Sequence, residues 1–226
     1  ADWLGQLSST KVFHTLSTLL DLPEPNIRAS LGSQGILARS GLVSIDHSGS
    51  SFLRCKLNLL SDAFADQMAT AETNPVSLLR GTVAIAPPAQ LSLSDYHHVQ
   101  ATLDILLPYL RHATATGQRG VNIFVHGVPG TGKSQLTRVL AKELGYELFE
   151  VASEDSEGDP VNGERRLRAL RAVQSFFAQR QALVVFDETE DVFNDGDILG
   201  GHKSTAQVRK AWVNRMLEEN PVPTLW

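Results

Sequence analysis

Gly127-Val128-Pro129-Gly130-Thr131-Gly132-Lys133-Ser134 is the stretch from which the rest of the chain can be read. It fits the pattern G-x-x-x-x-G-K-[ST] and lies between an apolar segment ending at His126 and a helical pattern starting near Lys133. Glycines at these places let backbone N–H groups turn inward around phosphate oxygens with no Cβ in the way. The helix that follows adds the positive end of its dipole. In that pattern Lys133 reaches the β- and γ-phosphates, and Ser134 offers a hydroxyl to Mg²⁺, a hard cation that takes few protein oxygens and keeps several waters. The candidate nucleotide contacts are therefore Gly127 through Ser134, with Gln135 closing the set.

A second half-site follows. Ala182-Leu183-Val184-Val185-Phe186 is a continuous apolar run, as expected of a strand buried on both faces, and it ends in Asp187 and Glu188. At the C-terminal end of a parallel strand these acids lie beside the phosphate loop. Asp187 is the candidate metal residue with Ser134, and Glu188 the candidate catalytic residue with Lys133, placed to orient or deprotonate an attacking water. The plainer alternative is a strand running into a solvated acidic turn, since Glu190 and Asp191 come next.

Outward from the loop, strand and helix patterns alternate. Strands are expected at 121–126, 146–152, 183–187 and 223–226, and helices at 133–144, 164–182 and 204–219, an alternation that predicts a parallel sheet covered by helices. Before it, a helix striped by Val99, Leu103, Leu106, Leu107 and Leu110 is expected to kink or split at Pro108. Pro87-Pro88-Ala89-Gln90 reads as a linker, which divides the chain into a mainly helical domain at 1–86 and a nucleotide-binding domain at 91–226. In the first part Ser9 or Thr10 caps a helix with Val12, Phe13, Leu16, Leu19 and Leu20 on one face, and a second helix spans Glu24 to Leu31. Turn-bracketed β-prone stretches follow between Gly35 and Asp46, then a helix around Leu57, Leu60, Phe64 and Met68. Helix, helix, hairpin resembles a winged helix. Its 86 residues hold six Lys or Arg against seven Asp or Glu, so they lack the basic excess of a DNA reader and favour a protein-interaction role.

Composition narrows the classes. A net charge of −5 argues against retention on nucleic acid or anionic membrane by bulk electrostatics. The single cysteine, Cys55, excludes an internal disulfide, and no apolar run approaches the roughly 20 residues of a membrane helix. The chain reads as cytoplasmic, with no membrane partner. Lacking an initiator Met and ending in the apolar Leu225-Trp226, it also reads as an excerpt of a longer protein. Asp195, Asp197 and His202 lack any recognised metal-ligand spacing and are expected in a glycine-rich loop, while the acids Glu154, Asp155 and Glu157 are expected in a solvated one.

The assembled residues resemble the AAA+ ATPase family. Gly127 to Ser134 looks like its Walker A and Val184-Val185-Phe186-Asp187-Glu188 like its Walker B, over about residues 90–226. Gly163-Glu164 opening an Arg-rich helix, and Leu217-Glu218-Glu219-Asn220-Pro221 leading into a strand, are similar to the branch of protein unfoldases and remodellers. The resemblance implies an α/β P-loop NTPase fold with sheet order 5-1-4-3-2, here incomplete, because the family's sensor residue, arginine finger and lid are expected beyond Trp226. It also implies ATP and Mg²⁺ as ligands, nucleotide at a subunit interface, and a homo-oligomer that closes as a hexameric ring. Where substrate-threading members carry an aromatic residue just before Gly-Glu, this chain has Val161. The leading expectation is Mg-dependent ATP hydrolysis that remodels a protein partner. The alternatives are a DNA-linked loader or replication-type ATPase and a scaffold that senses nucleotide without turnover.

Overall fold

The computed structural model describes residues 7–47, 52–61, 64, 66–67, 75–79, 81–155, 157–194 and 203–226. They fall into two compact units, Ala1–Thr73 and Asn74–Trp226.

In the first unit, helix α1 (Ser9–Leu20) starts one residue earlier than expected, with the Ser8 side chain accepting the Lys11 N–H as its cap. Val12, Phe13 and Leu16 are buried as their spacing requires, but Leu19 and Leu20 are 67% and 56% exposed. Helix α2 (Glu24–Leu31) has the expected bounds, entered through Pro23 and stopped at Gly32. The stretch after Gly35, expected to be β-prone, instead begins with one helical turn, α3 (Ile36–Arg39). Strand β1 (Val43–Ile45) follows, then a short helix, α4 (Leu53–Lys56), and strand β2 (Leu57–Leu59). β1 and β2 pair antiparallel with Val43 opposite Leu59 and Ile45 opposite Leu57, so Leu57 lies in a strand and not in the expected helix. The Asp46 N–H to Lys56 carbonyl and Leu60 N–H to Leu42 carbonyl bonds continue this ladder past both ends. A backbone ladder satisfied from outside the segment overrides the local apolar spacing. Ile45 joins Val12, Phe13, Leu16, Ile27 and Leu31 in one core. Phe64 of the expected helix is buried; Met68 lies outside the described residues.

The second unit is built on a five-stranded sheet. After helix α5 (Pro75–Leu78), strand β3 (Val83–Ile85) pairs antiparallel with β5 (Glu147–Val151), Val83 opposite Val151 and Ile85 opposite Phe149. The division between units therefore falls at Thr73/Asn74, and not at the Pro87–Gln90 segment, because residues 83–85 are hydrogen-bonded into the second unit's sheet. The remaining strands are β4 (Asn122–Ile123), β6 (Ala182–Val185) and β7 (Thr224–Leu225), and the sheet order is β3-β5-β6-β7-β4 with every pair except β3·β5 parallel. β4, β7, β6 and β5 take the places 1-4-3-2 of the order that the resemblance implies. The fifth place has no counterpart among the described residues, and β3 adds an antiparallel edge beyond β5.

All four residues of β6 are buried, as a central strand covered on both faces demands. Phe149 of β5 stacks on Phe177 at 4.2 Å between ring centroids, which ties the sheet to helix α8 (Gly163–Phe177). That helix ends five residues before the expected Ala182, which is needed in the strand. Helix α6 (Gln100–Ala115) runs through Pro108 as one element and is not split there. Pro108 has no N–H for the Asp104 carbonyl, and both residues are exposed on the solvent side of the helix. The expected helix 204–219 is two: α9 (Thr205–Val208) and α10 (Lys210–Glu218), separated at Arg209, which has φ −111° and ψ 27°. Val208, just before the break, is 66% exposed, while Val213 and Met216 of the second helix are buried. No helix among the described residues is long and apolar enough to cross a membrane.

Candidate functional site

Strand β4 delivers the chain to the phosphate-type loop, and helix α7 (Lys133–Leu144) leaves it with the bounds that the sequence predicts. Gly130 and Gly132 have φ of 80° and 84°, the left-handed region where a Cβ is strained. Gly132 is constrained twice, since a Cβ there would sit 3.1 Å from the Tyr96 hydroxyl, which donates to the Gly132 carbonyl at 2.9 Å. Tyr96 is 4% exposed on the 3₁₀ segment Leu93–Val99, whose capping box joins Ser92 and Asp95. The sequence carries no signal of this outer brace beyond an aromatic residue between Leu93 and Val99.

No side chain caps α7, so the N–H groups of its first turn are donors without an intrahelical partner. Lys133, Ser134 and Gln135 line a cleft of about 610 Å³ together with Gly127, Pro129, Gly130 and Gly132. Val128 and Thr131 do not line it. Thr131 Oγ1 donates to the Val128 carbonyl at 2.8 Å, a bond inside the loop. Gln135 Oε1 accepts the Gln90 N–H at 3.0 Å and so anchors the proline segment to the site. Lys133 Nζ donates to the carbonyls of Gly127 and Val128 at 3.0 and 3.2 Å, which holds the ammonium at the mouth of the loop.

β6 brings the acids to the other wall. Ser134 Oγ donates to Asp187 Oδ2 at 2.9 Å, across 53 positions of sequence. Asp187 Oδ1 accepts the Glu188 N–H at 3.1 Å, and both acids are exposed at the cleft. The acidic turn thus lines the cleft, with Thr189 and Glu190 beside the two acids. Glu188 has φ 53° and is, with Asp21, one of two non-glycine residues with positive φ among those described. His126 also lines the cleft, its ring stacked on Phe124 at 6.0 Å between centroids.

Among the described residues no group of three or more His, Cys, Asp or Glu is placed to hold a metal ion. The Ser134 hydroxyl and the Asp187 carboxylate lie together as two hard oxygen donors, a pair too small for a protein-only cage and suited to Mg²⁺ carried by substrate phosphates. Asp195, Asp197 and His202 lie outside the described residues. Asp155 closes its own loop, accepting the N–H groups of Glu157 and Asp159 at 3.0 Å each. The Glu157 N–H, first among these bonds, holds its carboxyl below the ordinary aspartate value.

Just after this loop, Gly163 opens α8 against the turn that follows Glu188. A Cβ on Gly163 would lie 2.1 Å from the Asp191 carbonyl oxygen, backbone against backbone. Gly163→Ala is expected to destabilise the fold by about 1–3 kcal/mol, read as a lower midpoint of thermal unfolding.

Comparison with known proteins bears on the same region. Residues 123–220 match the model of the ATPase family associated with various cellular activities (AAA). The chain is 27% identical over 131 residues to the replication factor C large subunit of Methanococcus maripaludis, covering 58% of this chain and 25% of the relative. It is 28% identical over 149 residues to the meiotic spindle formation protein mei-1 of Caenorhabditis elegans, covering 62% and 31%. With the replication factor C large subunit of Pyrobaculum calidifontis the identity is 39% over 83 residues, covering 35% and 18%. The match thus spans less than a third of each relative's own length. A glycine loop opening a helix, an acid pair at the end of a buried parallel strand, and the family match over both make residues 123–220 an AAA domain of the P-loop ATPases.

Proposed function

We propose that this chain binds ATP with Mg²⁺ in the cleft between the glycine loop and the end of β6, hydrolyses it, and uses the cycle to remodel a protein partner. The observation that carries the proposal is the 2.9 Å contact of Ser134 Oγ with Asp187, which joins the two half-sites around one cleft. The loop amides and the N-terminus of α7 bind the β- and γ-phosphates, and Lys133 adds a cation to the same oxygens. Ser134 and Asp187 hold the Mg²⁺ ion, which neutralises charge on the phosphates. Glu188 orients the attacking water and accepts its proton. In the assembled protein the chain works as a homo-oligomer, a hexameric ring with nucleotide at the subunit interface.

The first unit recruits the partner. Its helices α1–α3 followed by the β1·β2 pair support the winged-helix-like reading, and its lack of basic excess supports a protein ligand. Two of the relatives are replication factor C large subunits, which favours a DNA-linked loader as the second reading. Salt-dependent DNA binding by the chain, its affinity falling with a steep log–log slope, separates the two.

The direct test is phosphate release from ATP by the intact protein, with Mg²⁺ and with a chelator in its place. Turnover that needs Mg²⁺ is the expected result. Saturable ATP binding with no phosphate released would establish the sensing scaffold instead.

A further inference from the structure

We infer that Arg166 is a positioning residue for Glu188, its buried guanidinium fixing the turn at the end of β6 and so the place of the Glu188 carboxylate. The inference rests on Glu188 being the residue that acts on water. Arg166 lies in the first two turns of α8 and its side chain is 1% exposed. Nη1 donates to the Glu188 carbonyl at 3.1 Å and to an Asp191 carboxylate oxygen at 2.5 Å, and Nη2 donates to the Asp187 carbonyl. The guanidinium carbon lies 4.3 Å from the centroid of the Phe186 ring. One side chain therefore grips residues 186, 187, 188 and 191, which bracket both acids of the site.

What the grip holds is the left-handed conformation of Glu188. A non-glycine residue at φ 53° persists only where its surroundings over-determine it. In a strand that simply continued, side chains would alternate between faces, and the residue after Asp187 would point across the sheet from it. The left-handed step breaks that alternation, so the direction of the Glu188 side chain depends on what enforces the step. Asp191 N–H to the Glu188 carbonyl at 3.3 Å is a weak constraint by itself. The guanidinium supplies the stronger one, with a planar fork that spans two consecutive carbonyls. Its anchor is rigid, because Gly163 brings the start of the same helix against the Asp191 backbone with no room for a Cβ.

Stability alone does not call for a charge here. Burial pushes the Arg166 pKa down, a shift that Asp191, whose own side chain is half exposed, opposes without cancelling. An apolar side chain cannot hold the two carbonyls.

Arg166→Lys keeps the charge and loses the fork. In the intact protein it is expected to lower kcat roughly 10- to 100-fold while KM and the Kd for ATP stay within about threefold. In a Glu188→Gln background, followed by single turnover, the same substitution is expected to cost less than about twofold, because a residue that acts through Glu188 has nothing left to position. Wild-type kcat in a folded Arg166→Lys protein would overturn the inference, as would an equal loss in both backgrounds, which is the mark of a structural role. If Arg166→Lys gives no cooperative melt, Asp191→Asn loosens the guanidinium from one side. A fall in kcat confined to the Glu188 background then supports the inference, and an unchanged kcat overturns it. If Glu188→Gln alone turns over ATP at the wild-type rate, the reading of Glu188 fails and takes this one with it. If Glu188→Gln stalls while Arg166→Lys does not, only the positioning role is lost.

Discussion

Lys133→Ala is expected to remove detectable ATP binding while the protein stays folded. Lys133 Nζ is held at the cleft by two loop carbonyls, and the neighbouring N–H donors are neutral dipoles. The ammonium is the loop's one full positive charge, facing a ligand whose phosphates are anionic. Charge-assisted hydrogen bonds contribute about 1.5–3 kcal/mol each, and loss of a lysine that contacts two phosphates weakens Kd by roughly 100-fold or more. Alanine also frees the carbonyls of Gly127 and Val128, which then face the phosphates with nothing to neutralise them. Calorimetric titration of Mg-ATP into wild type and variant measures the difference, and a thermal melt confirms the fold. Lys133 is half-buried and bonds only within its own loop, so the melt is expected to move little. Equal affinity in the two proteins would sink the phosphate assignment of the whole loop.

Glu188→Gln is expected to do the opposite. It leaves ATP binding in place and stalls turnover, with kcat down about 10²–10⁴-fold. Glutamine has the shape of glutamate and still accepts a hydrogen bond, so a water can be held, but it cannot take the proton as the bond to phosphorus forms. The substitution leaves the contacts of the phosphate loop untouched, because the Ser134–Asp187 bond and the Lys133 bonds do not involve the Glu188 side chain. Single-turnover phosphate release alongside equilibrium binding separates the two steps. A variant that hydrolyses ATP at the wild-type rate would return Glu188 to the plainer reading, an exposed acid at the end of a strand.

Asp187 and Glu188 stand out in sequence because a buried strand must be apolar along its length, so two acids at its end mark a site or an exit to solvent. Which of the two it is depends on where Ser134 lies, and the 2.9 Å contact across 53 positions is a fact of tertiary structure. The boundary between units shows the same limit. Pro87-Pro88 interrupts regular structure locally, and the sequence there reads as a linker. The edge of β5 nevertheless accepts Val83–Ile85 as a partner, and a three-residue strand carries no periodicity by which to foresee it.

By itself the sequence determined the elements whose free energy is local. Helices α2 and α7 have the expected bounds because Pro23, Gly32, Gly132 and Gly145 punctuate them, and glycine stands at 130 and 132 where φ is positive. The apolar run at 182–186 implies a strand buried on both faces, and all four residues of β6 are buried. Only the tertiary structure decided the antiparallel edge strand, the break at Arg209, the brace of Tyr96 on Gly132, and the grip of Arg166 on the turn at Asp187 and Glu188. Each of these joins groups distant in the chain or yields to a neighbour's packing. Spacing and propensity report the preferences of a segment alone, whereas a hydrogen bond between Arg166 and Glu188 exists only once helix and strand have been brought together.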